Sequence, residues 1–524
     1  MRSLGVSLCN SVANCYRSPA MDRYIEKILS ARVYDVAVES PLEEAYALSR
    51  RLNNRVLLKR EDLQSIFSFK LRGAYNKIWR LNREQAIEGV VASSAGNHAQ
   101  GVALAAKRLG LSAVIVMPRT TPQIKVDAVK ALGARAVLHG DAYDEAYAHA
   151  REIEEEKGFP FIHPFDDPDT IAGQGTVGME LCRQFGDDLH AIFVPVGGGG
   201  LIAGIAAFVK YLRPETRIIG VEPDDAASMT TSLKRGRRVR LDHVGLFADG
   251  VAVAQPGKES FRLARKYVDE MVLVSTDEIC AAIKDIFGDT RTMAEPAGAL
   301  GVAGMKRYIE REGLRDENMV AVVAGANINF DRLRHVAERA ELGEQREVLF
   351  AATIPERPGS FRKFCQSLGK RSITEFNYRY SDDSDAHVFV GVRTNGGPDE
   401  RRDIIEDLHG KGYEVKDLTD NEMAKLHVRY LVGGHVNGGI NNERVLRFEF
   451  PERPGALQKF LDGMGRGWNI SLFHYRNHGA AYGRVLAGMQ VPKDDERRFR
   501  QFLDDLGYFW TEESDNPAYQ TFLR

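Results

Sequence analysis

The stretch AIFVPVGGGGLIAGIAAFV (191–209) runs from an apolar strand through four consecutive glycines into an apolar helix. Four residues without side chains let backbone N–H groups converge on one point, and the N-terminus of the following helix adds positive potential. No Lys-Ser or Lys-Thr follows the glycines, which excludes a Walker A loop, and the stretch comes too late in the α/β region for the usual dinucleotide-binding turn. It therefore predicts a corner that binds phosphate.

The same alternation of strand and helix extends on both sides of this corner, from about residue 57 to residue 327. Short apolar strands are separated by amphipathic helices such as HAQGVALAAKRLG (98–110), a pattern typical of a parallel sheet covered by helices on both faces. Ligands bind such sheets at the carboxyl ends of the strands. The other predicted strands are GVVASS (89–94), SAVIVMP (112–118), ARAVLHG (134–140), RIIGVEP (217–223), MVLVS (271–275) and MVAVVAG (319–325).

A second strand–loop–helix corner is SSAGNHAQG, which begins at Ser93. Ser93, Ser94, Gly96 and Asn97 offer hydroxyls, an amide and exposed backbone N–H groups at a helix start, which suits a small carboxylate. His98 has the chemistry of a base, but a histidine at this place more often packs or hydrogen-bonds structurally. The corner is a predicted carboxylate site, and a catalytic part for His98 stays open.

Lys70 lies between an aromatic residue and Leu-Arg-Gly in SIFSFKLRGAYNKI (65–78). Taken alone it indicates a solvated charge, since the chain carries 71 basic residues. Together with a phosphate corner and a carboxylate corner, however, a lysine completes what pyridoxal phosphate needs: an amine for its aldehyde, an anchor for its phosphate and a place for the amino-acid carboxylate. This combination predicts that Lys70 is the Schiff-base lysine.

An internal repeat follows residue 342. The segments VLFAATIPERPGSFRKFCQSLG (348–369) and VLRFEFPERPGALQKFLDGMG (445–465) share Pro-Glu-Arg-Pro-Gly between a strand and a helix, and their first prolines lie 96 residues apart. Each is followed by residues that alternate as in a β-strand, so each copy is a predicted small α+β unit of the split βαβ type. The Gly- and Asn-rich VGGHVNGGINN (432–442) between them reads as a linker.

Composition excludes several classes of protein. The chain has 524 residues, 44% hydrophobic and 27% charged, which is typical of a soluble globular protein. A net charge of −2 favours neither nucleic acid nor an anionic membrane as a partner, and no apolar run approaches the length of a membrane span. The five cysteines are scattered without any CxxC, which argues against a disulfide framework and a zinc site and indicates the cytoplasm.

The motifs in this order resemble a known family. FKLRGA (69–74), SAGNH (94–98) and GGGGL (197–201) resemble the fold-type II pyridoxal-phosphate enzymes, whose catalytic fold is like the tryptophan synthase β subunit. EPAGAL (295–300) and GANINFDRLRHVAERAELGEQRE (325–347) extend the likeness to the threonine dehydratases. Both C-terminal repeats resemble the paired ACT-like regulatory domains of the long, biosynthetic form, so the resemblance covers roughly residue 22 to the end.

The resemblance implies roles for individual residues. Lys70 matches the Schiff-base lysine that also removes the α-proton, Phe69 the aromatic residue beside it, and Asn97 the asparagine that hydrogen-bonds the ring 3′-oxygen. Glu295 lies in a loop that the family places near the cofactor ring, with no role assigned. The remaining implied contacts are Gly197, Gly198, Gly199, Gly200 and Leu201 for the phosphate, Ala324 beside the pyridine nitrogen, and Ser94, Ala95, Gly96 and His98 for the substrate carboxylate.

The implied activity is dehydration and deamination of L-threonine, and of L-serine, to 2-oxobutanoate or pyruvate and ammonia. In the family this is the first step of isoleucine biosynthesis, with isoleucine as feedback inhibitor, valine opposing it, and a homotetramer as the usual state. The implied domains are a disordered extension at 1–20, a pyridoxal-phosphate-dependent catalytic domain at 21–344, ACT-like domains at 345–424 and 444–524, and a linker at 425–443.

Ala324 is a departure from the family, which commonly has serine and sometimes cysteine there. Alanine cannot hydrogen-bond the pyridine nitrogen, and one ordinary hydrogen bond is worth about 0.5–1.5 kcal/mol. Weaker cofactor binding is therefore expected before loss of chemistry. Glu222, with Asp224 and Asp225, follows a strand and has the chemistry of a cation site, but such acidic loops are mostly solvated and no metal is predicted.

Three alternatives stay open at this point. A serine-selective dehydratase or racemase would use the same lysine and phosphate corner, with Ser93 or Ser94 as candidate second base by residue type. A β-replacement enzyme would share the fold but usually lacks the double tail. An amino-acid sensor with weak catalysis, in which Ala324 is the lesion, is disfavoured by Lys70, Asn97 and the intact glycine loop.

Overall fold

The computed structural model describes most of the chain as two compact units. The first unit runs to Ser275 and includes Ala282–Ile328, whereas the second holds Thr276–Ala281 and the residues from Asn329 onward. Among the described residues, no helix is long and apolar enough to cross a membrane. The described residues are 19–355, 363–364, 367–368, 373–380, 385–395, 397–430, 442–451, 459–460, 463–464, 468–476 and 482–523.

Several predicted features lie wholly or partly outside these ranges. Of the predicted extension 1–20, Pro19 and Ala20 are described, and they begin the first helix. The Pro-Glu-Arg-Pro-Gly motifs, apart from their first prolines, and residues 431–441 of the predicted linker are not described.

The first unit is built on two sheets. The strands are β1 (Leu42–Glu44), β2 (Arg55–Arg60), β3 (Gly89–Ser93), β4 (Ser112–Met117), β5 (Arg135–Leu138), β6 (Ala191–Pro195), β7 (Arg217–Pro223), β8 (Glu270–Val274) and β9 (Asn318–Val323). One sheet has the order β1-β2-β9-β6-β7-β8 and is parallel except for β1, and the other is the parallel β3-β4-β5. All the strands predicted from apolar runs in this region are present.

Twelve α-helices lie between Pro19 and Glu312, a range that the structure describes throughout. They are α1 (Pro19–Leu29), α2 (Tyr46–Leu52), α3 (Lys70–Gln85), α4 (Asn97–Leu109), α5 (Gln123–Ala131), α6 (Tyr143–Lys157), α7 (Pro168–Gln184), α8 (Gly200–Leu212), α9 (Ser228–Lys234), α10 (Lys258–Tyr267), α11 (Thr276–Thr290) and α12 (Pro296–Glu312). The first residues of α11 belong to the second unit. Helix α8 is buried from Gly200 to Val209, as its apolar sequence predicts. A Cβ at Gly204 would lie 2.6 Å from the backbone nitrogen of Gly175, so glycine lets α7 and α8 pack backbone against backbone.

The second unit contains two sheets of the same order, which confirms the predicted repeat of small α+β folds. The orders are β11-β12-β10-β13 and β15-β16-β14-β17, antiparallel throughout. The elements are α13 (Arg332–Gly343), β10 (Glu347–Pro355), β11 (Ile373–Tyr380), β12 (Asp385–Arg393), α14 (Pro398–Gly410), β13 (Glu414–Asp417), α15 (Glu422–Leu426), β14 (Glu443–Pro451), β15 (Asn469–Arg476), β16 (Tyr482–Gln490), α16 (Glu496–Leu506), β17 (Phe509–Glu512) and α17 (Pro517–Phe522).

Strand β10 shows why the two copies stay together. Val348, Phe350 and Ala352 point into the core of their own copy. Leu349 and Ala351 point to the other face, where they share a core with residues of the second copy such as Val445, Leu486 and Phe522. A strand buried on both faces carries the continuous apolar run VLFAA rather than polar alternation. The described ends of the predicted linker 425–443 are the end of α15, a turn at Val428–Tyr430 and the start of β14.

Candidate active site

Lys70 is the first residue of α3, and the loop before it is joined to the end of β9. The Phe69 N–H donates to the Ala324 carbonyl at 3.3 Å, and the Asn327 amide nitrogen donates to the Ile66 carbonyl at 2.8 Å. Strand β9 lies in the middle of the six-stranded sheet, so this pairing brings Lys70 to the carboxyl end of that sheet. Lys70 therefore lies where a ligand of a parallel α/β fold binds.

The backbone of this loop is strained. Phe67 has φ of +56°, in the left-handed region that bulky residues rarely adopt, and its side chain is 56% exposed. Its carbonyl accepts a hydrogen bond of 2.9 Å from the Ala326 N–H, which holds the conformation. Strain of this kind costs of order 1–3 kcal/mol and concentrates at functional sites.

The amino group of Lys70 lies in an apolar setting. Its Nζ is 5.1 Å from the centre of the Phe69 ring and 3.4 Å from the Pro164 carbonyl oxygen. Burial lowers the pKa of Lys70 to about 8, against the opposing attraction of Glu295. Near neutral pH a measurable fraction of this amine is uncharged, and the uncharged amine is the form that acts as nucleophile or base.

The glycine loop between β6 and α8 is shaped by its neighbours. A Cβ at Gly198 would lie 2.3 Å from the Phe165 ring, and Gly199 has φ of +91°, so side chains are excluded at both positions. The Gly198 carbonyl accepts hydrogen bonds from the Ser260 hydroxyl at 2.5 Å and from the Gly257 N–H at 3.1 Å. Because the N–H of the next residue points opposite to a carbonyl, the Gly199 N–H faces away from α10. With the N–H groups of the first turn of α8, which no earlier turn of that helix can accept, it offers backbone donors of the kind that an anion needs.

The corner between β3 and α4 offers several donors. The Ser94 hydroxyl accepts from the Gly96 N–H at 3.3 Å, which leaves its own O–H available to donate. A Cβ at Gly96 would meet nothing within 4 Å, so the space above the corner is open. The Ser93 hydroxyl is buried and has no hydrogen-bond partner within the described part of the chain. Ala95 adds backbone alone between Ser94 and Gly96.

The side chain of His98 makes a structural hydrogen bond. Its Nε2 lies 2.8 Å from the Ile162 carbonyl oxygen, so that nitrogen carries the proton and Nδ1 is left as an acceptor. Burial, assisted by Lys70, lowers the pKa of His98 to about 3, which keeps the ring neutral. A neutral ring held by a carbonyl adds no positive charge for a carboxylate, whereas the backbone N–H of His98 belongs to the first turn of α4.

Asn97, the first residue of α4, is held from two sides. Its amide nitrogen donates to Glu295 Oε1 at 2.6 Å, and its amide oxygen accepts from the Asn327 amide nitrogen at 2.7 Å. The Asn327 N–H donates to Glu295 Oε2 at 3.1 Å. Burial, with Asp249 adding to it, raises the pKa of Glu295 to about 7.

The chemistry of this donor set fits pyridoxal phosphate. Lys70 has the amine that an aldehyde needs, the glycine loop has backbone N–H groups suited to a phosphate, and Asn97 has an amide N–H suited to a ring oxygen. Phe69, Leu201 and Ala324 belong to one buried hydrophobic cluster, which offers an apolar wall to an aromatic ring. The methyl group of Ala324 offers that ring no hydrogen bond.

Comparisons with known proteins identify the family of the chain. A family model described as pyridoxal-phosphate dependent enzyme matches residues 34–325, and one described as the C-terminal regulatory domain of threonine dehydratase matches 338–428 and 434–523. The L-threonine dehydratase biosynthetic IlvA of Burkholderia multivorans is 57% identical over 95% of this chain and 99% of its own length.

The chain belongs to the biosynthetic threonine dehydratase family. The corresponding Escherichia coli protein is 52% identical over 97% of this chain and 98% of its own length. The solved structure of the processed form of threonine deaminase isoform 2 from Solanum lycopersicum is 54% identical, with a TM-score of 0.61 over 62% of this chain and 94% of that one. The predictions of family, fold class and cofactor are confirmed.

Some residues at this threonine dehydratase site had no role in the sequence-based prediction. Phe165, packed on the glycine loop, lies in IHPFDDP, where no pattern distinguishes it from a core aromatic residue. Asn327 lies within the GANINF motif, but its role depends on contacts with Asn97 and Ile66 that are distant in sequence. The GANINF motif indicates that this segment belongs to the site, but it does not indicate that Asn327 is the side chain that contributes.

Glu222 serves the fold of the first unit. Its carboxylate accepts the N–H groups of Met229 and Thr230 at 2.8 Å each and the Thr230 hydroxyl at 2.7 Å, and it thereby caps α9. Burial raises the pKa of Glu222 to about 7. Within the described ranges, no group of three or more His, Cys, Asp and Glu side chains is arranged to hold a metal ion.

Proposed function

We propose that this chain converts L-threonine to 2-oxobutanoate and ammonia, and L-serine to pyruvate and ammonia, with pyridoxal phosphate as cofactor. The observation that carries the proposal is the amine of Lys70, with a pKa lowered by burial, at the carboxyl end of the sheet whose strand β6 leads into the glycine loop. Asn97 follows β3 of the other sheet and is joined to the segment before Lys70 through the side chain of Asn327. Membership of the biosynthetic threonine dehydratase family supports L-threonine over the racemase, β-replacement and sensor alternatives.

Lys70 is the proposed catalytic residue. Pyridoxal phosphate, when bound, supplies an aldehyde that reacts with amines and a ring that spreads negative charge from the α-carbon. The uncharged Nζ of Lys70 accepts the α-proton, and burial makes the uncharged form accessible near neutral pH. The Pro164 carbonyl beside Nζ orients the protonated amine, because it accepts one of its N–H bonds.

The other residues bind and orient. In the proposal, Gly197 to Leu201 hold the phosphate through backbone N–H groups, and Asn97 donates to the ring 3′-oxygen. Ser94 and the backbone N–H groups from Ala95 to His98 hold the substrate carboxylate. Phe69, Leu201 and Ala324 exclude water from the ring.

Replacing Ala324 with serine tests its proposed place beside the pyridine nitrogen. A hydroxyl there restores one hydrogen bond of about 0.5–1.5 kcal/mol, so A324S should bind pyridoxal phosphate about two- to twelvefold more tightly. Fluorescence titration of the cofactor-free protein measures this affinity. Ala326→Ser adds a hydroxyl two residues further on and is the matched control. Equal or weaker binding by A324S would contradict the proposed position of Ala324.

The second unit is proposed to bind isoleucine as inhibitor, with valine opposing it. An effector regulates when it binds one state of the protein better than another. The match of both repeats to the threonine dehydratase regulatory domain supports an amino-acid effector. We further propose a homotetramer, as the family resemblance implies, and a place in the cytoplasm, as the scattered cysteines without any CxxC indicate.

Isoleucine should raise the L-threonine concentration needed for half-maximal rate by about 5–150-fold, the usual range of allosteric coupling. Initial rates of 2-oxobutanoate formation, measured with isoleucine and then with added valine, give this shift and its reversal. L-Alanine shares the ammonium and carboxylate but lacks the branched side chain, so it is the control effector. A rate indifferent to isoleucine would refute the regulatory proposal and leave the catalytic one standing.

A further inference from the structure

Asn97 can take one amide orientation among its described neighbours. Its nitrogen faces a carboxylate oxygen of Glu295, and its oxygen faces an N–H of the Asn327 side chain. Turning the amide by 180° would set its N–H against an N–H of Asn327, whose nitrogen is held by the Ile66 carbonyl, and would set its oxygen against the ionised carboxylate of Glu295. Glu295 is 5% exposed, so water does not easily replace the bond to its carboxylate.

Asn327 is fixed in turn. Its side-chain nitrogen donates to the Ile66 carbonyl at 2.8 Å and to the Asn97 oxygen at 2.7 Å, which uses both of its N–H bonds. Its backbone N–H donates to the second oxygen of Glu295. Ile66 is buried in the loop that leads into Lys70, so the same chain of bonds ties Asn97 to the segment carrying the amine.

Glu295 is fixed through the backbone. It precedes α12, and its N–H donates to the Gly325 carbonyl at 3.1 Å. A Cβ at Gly325 would lie 2.4 Å from Glu295 Oε1, so glycine at this position admits the carboxylate. The carboxylate is thus set by the same segment, 324–327, that also contributes Asn327.

We propose that Glu295 and Asn327 are positioning residues that aim the second N–H of Asn97 at the ring oxygen of the cofactor. An amide nitrogen has two N–H bonds, and the bond to Glu295 leaves one for a ligand. Neither residue touches the reacting atoms in this proposal. The inference rests on the proposed function, because it takes from it the contact between Asn97 and the cofactor.

Glu295→Gln tests the proposal with little change of shape. Glutamine replaces one acceptor oxygen by a donor, so it satisfies either Asn97 or the Asn327 N–H but not both. We expect E295Q to weaken pyridoxal phosphate binding about three- to tenfold and to shift the visible absorbance of the bound cofactor. Glu310→Gln, on the exposed part of the same helix, is the matched control and should change neither quantity.

A double-mutant cycle separates positioning from general stability. If Glu295 acts through Asn97, then E295Q in an Asn97→Ala background should change cofactor affinity by less than about twofold. Cofactor affinity by fluorescence titration and the absorbance spectrum are read for the wild type, both single variants and the double variant, each as full chain. Should E295Q not fold, Asn327→Ala takes its place in the same cycle.

The outcomes distinguish the two levels of the proposal. Wild-type protein that binds no pyridoxal phosphate would refute the proposed function itself. Wild-type protein that binds it, with the E295Q and N97A effects multiplying in the double variant, would refute positioning through Asn97. An E295Q protein with wild-type affinity and spectrum would refute it as well.

Discussion

Replacing Lys70 with alanine is expected to lower the turnover of L-threonine by about 10⁴-fold or more, because a positioned base alone contributes up to that factor. The variant also loses the amine that links to the cofactor. Turnover is measured as 2-oxobutanoate formed by protein saturated with pyridoxal phosphate. Borohydride reduction of the wild type, followed by peptide mass spectrometry, should place the cofactor on the peptide that contains Lys70, and reduction of K70A should place none there.

Lys107→Ala is the control for this variant. Lys107 lies on the exposed part of α4 in the same unit, and its removal should leave turnover unchanged. Cofactor binding by K70A should persist without a covalent link, because the glycine loop and Asn97 are untouched. K70A with turnover within tenfold of the wild type would overturn the assignment of the base.

Replacing Arg72 with methionine is expected to cost about 3–5 kcal/mol of stability, the usual penalty for breaking one side of a buried ion pair. Arg72, Glu61 and Glu180 are all fully buried. The guanidinium contacts Glu61 at 2.7 and 2.8 Å and Glu180 at 2.6 and 3.1 Å. Methionine fills the space of the stem but removes the guanidinium from both carboxylates.

The two carboxylates differ in what else holds them. Lys59, also fully buried, donates to Glu180 at 2.6 Å, whereas Glu61 accepts a bond of 2.5 Å from the Ser40 hydroxyl. Although burial would raise the pKa of Glu180, Arg72 and Lys59 hold that pKa below its usual value. Loss of Arg72 therefore leaves Glu61 without a hydrogen-bonded cationic partner among the described residues, whereas Glu180 keeps Lys59. Adding Glu61→Gln to R72M should recover part of the lost stability.

Urea unfolding followed by circular dichroism measures these differences. Arg83→Met, at the exposed end of the same helix, is the matched control and should shift the midpoint little. A midpoint of R72M equal to that of the wild type would show that the buried pairs do not stabilise the unit. Because Arg72 lies two residues after Lys70, R72M also tests whether the ion pairs fix the first turn of α3.

The strands could be predicted because each is a local signal. Strands β3, β4, β6, β7 and β9 are apolar runs bounded by turns, and all appear where the pattern places them. Their division into two sheets could not be predicted in the same way. Strand β9 lies between β2 and β6, with Arg55 opposite Asn318 and Ala191 opposite Met319. Strands so far apart in sequence pair without any local sequence pattern that would predict the pairing.

The site residues also fall into those that a local motif predicts and those that only long-range contacts reveal. Lys70, Asn97 and the glycine loop stand in short motifs whose chemistry is visible in sequence. Glu295 and Asn327 gain their roles from contacts made across the fold. The burial of Arg72 could not be predicted from the sequence either, because a charged residue in the first turn of a helix is normally solvated.

Lys70 is expected to act as the base in the conversion of L-threonine to 2-oxobutanoate and ammonia, a dehydration whose water is taken up again when ammonia is released. The most direct measurement is the amount of 2-oxobutanoate and ammonia formed from L-threonine by the purified full chain loaded with pyridoxal phosphate. We expect both products to form, in equal amounts, in the wild type and in Lys107→Ala but not in Lys70→Ala. Folded wild-type protein that holds the cofactor and yields no keto acid from L-threonine would contradict it.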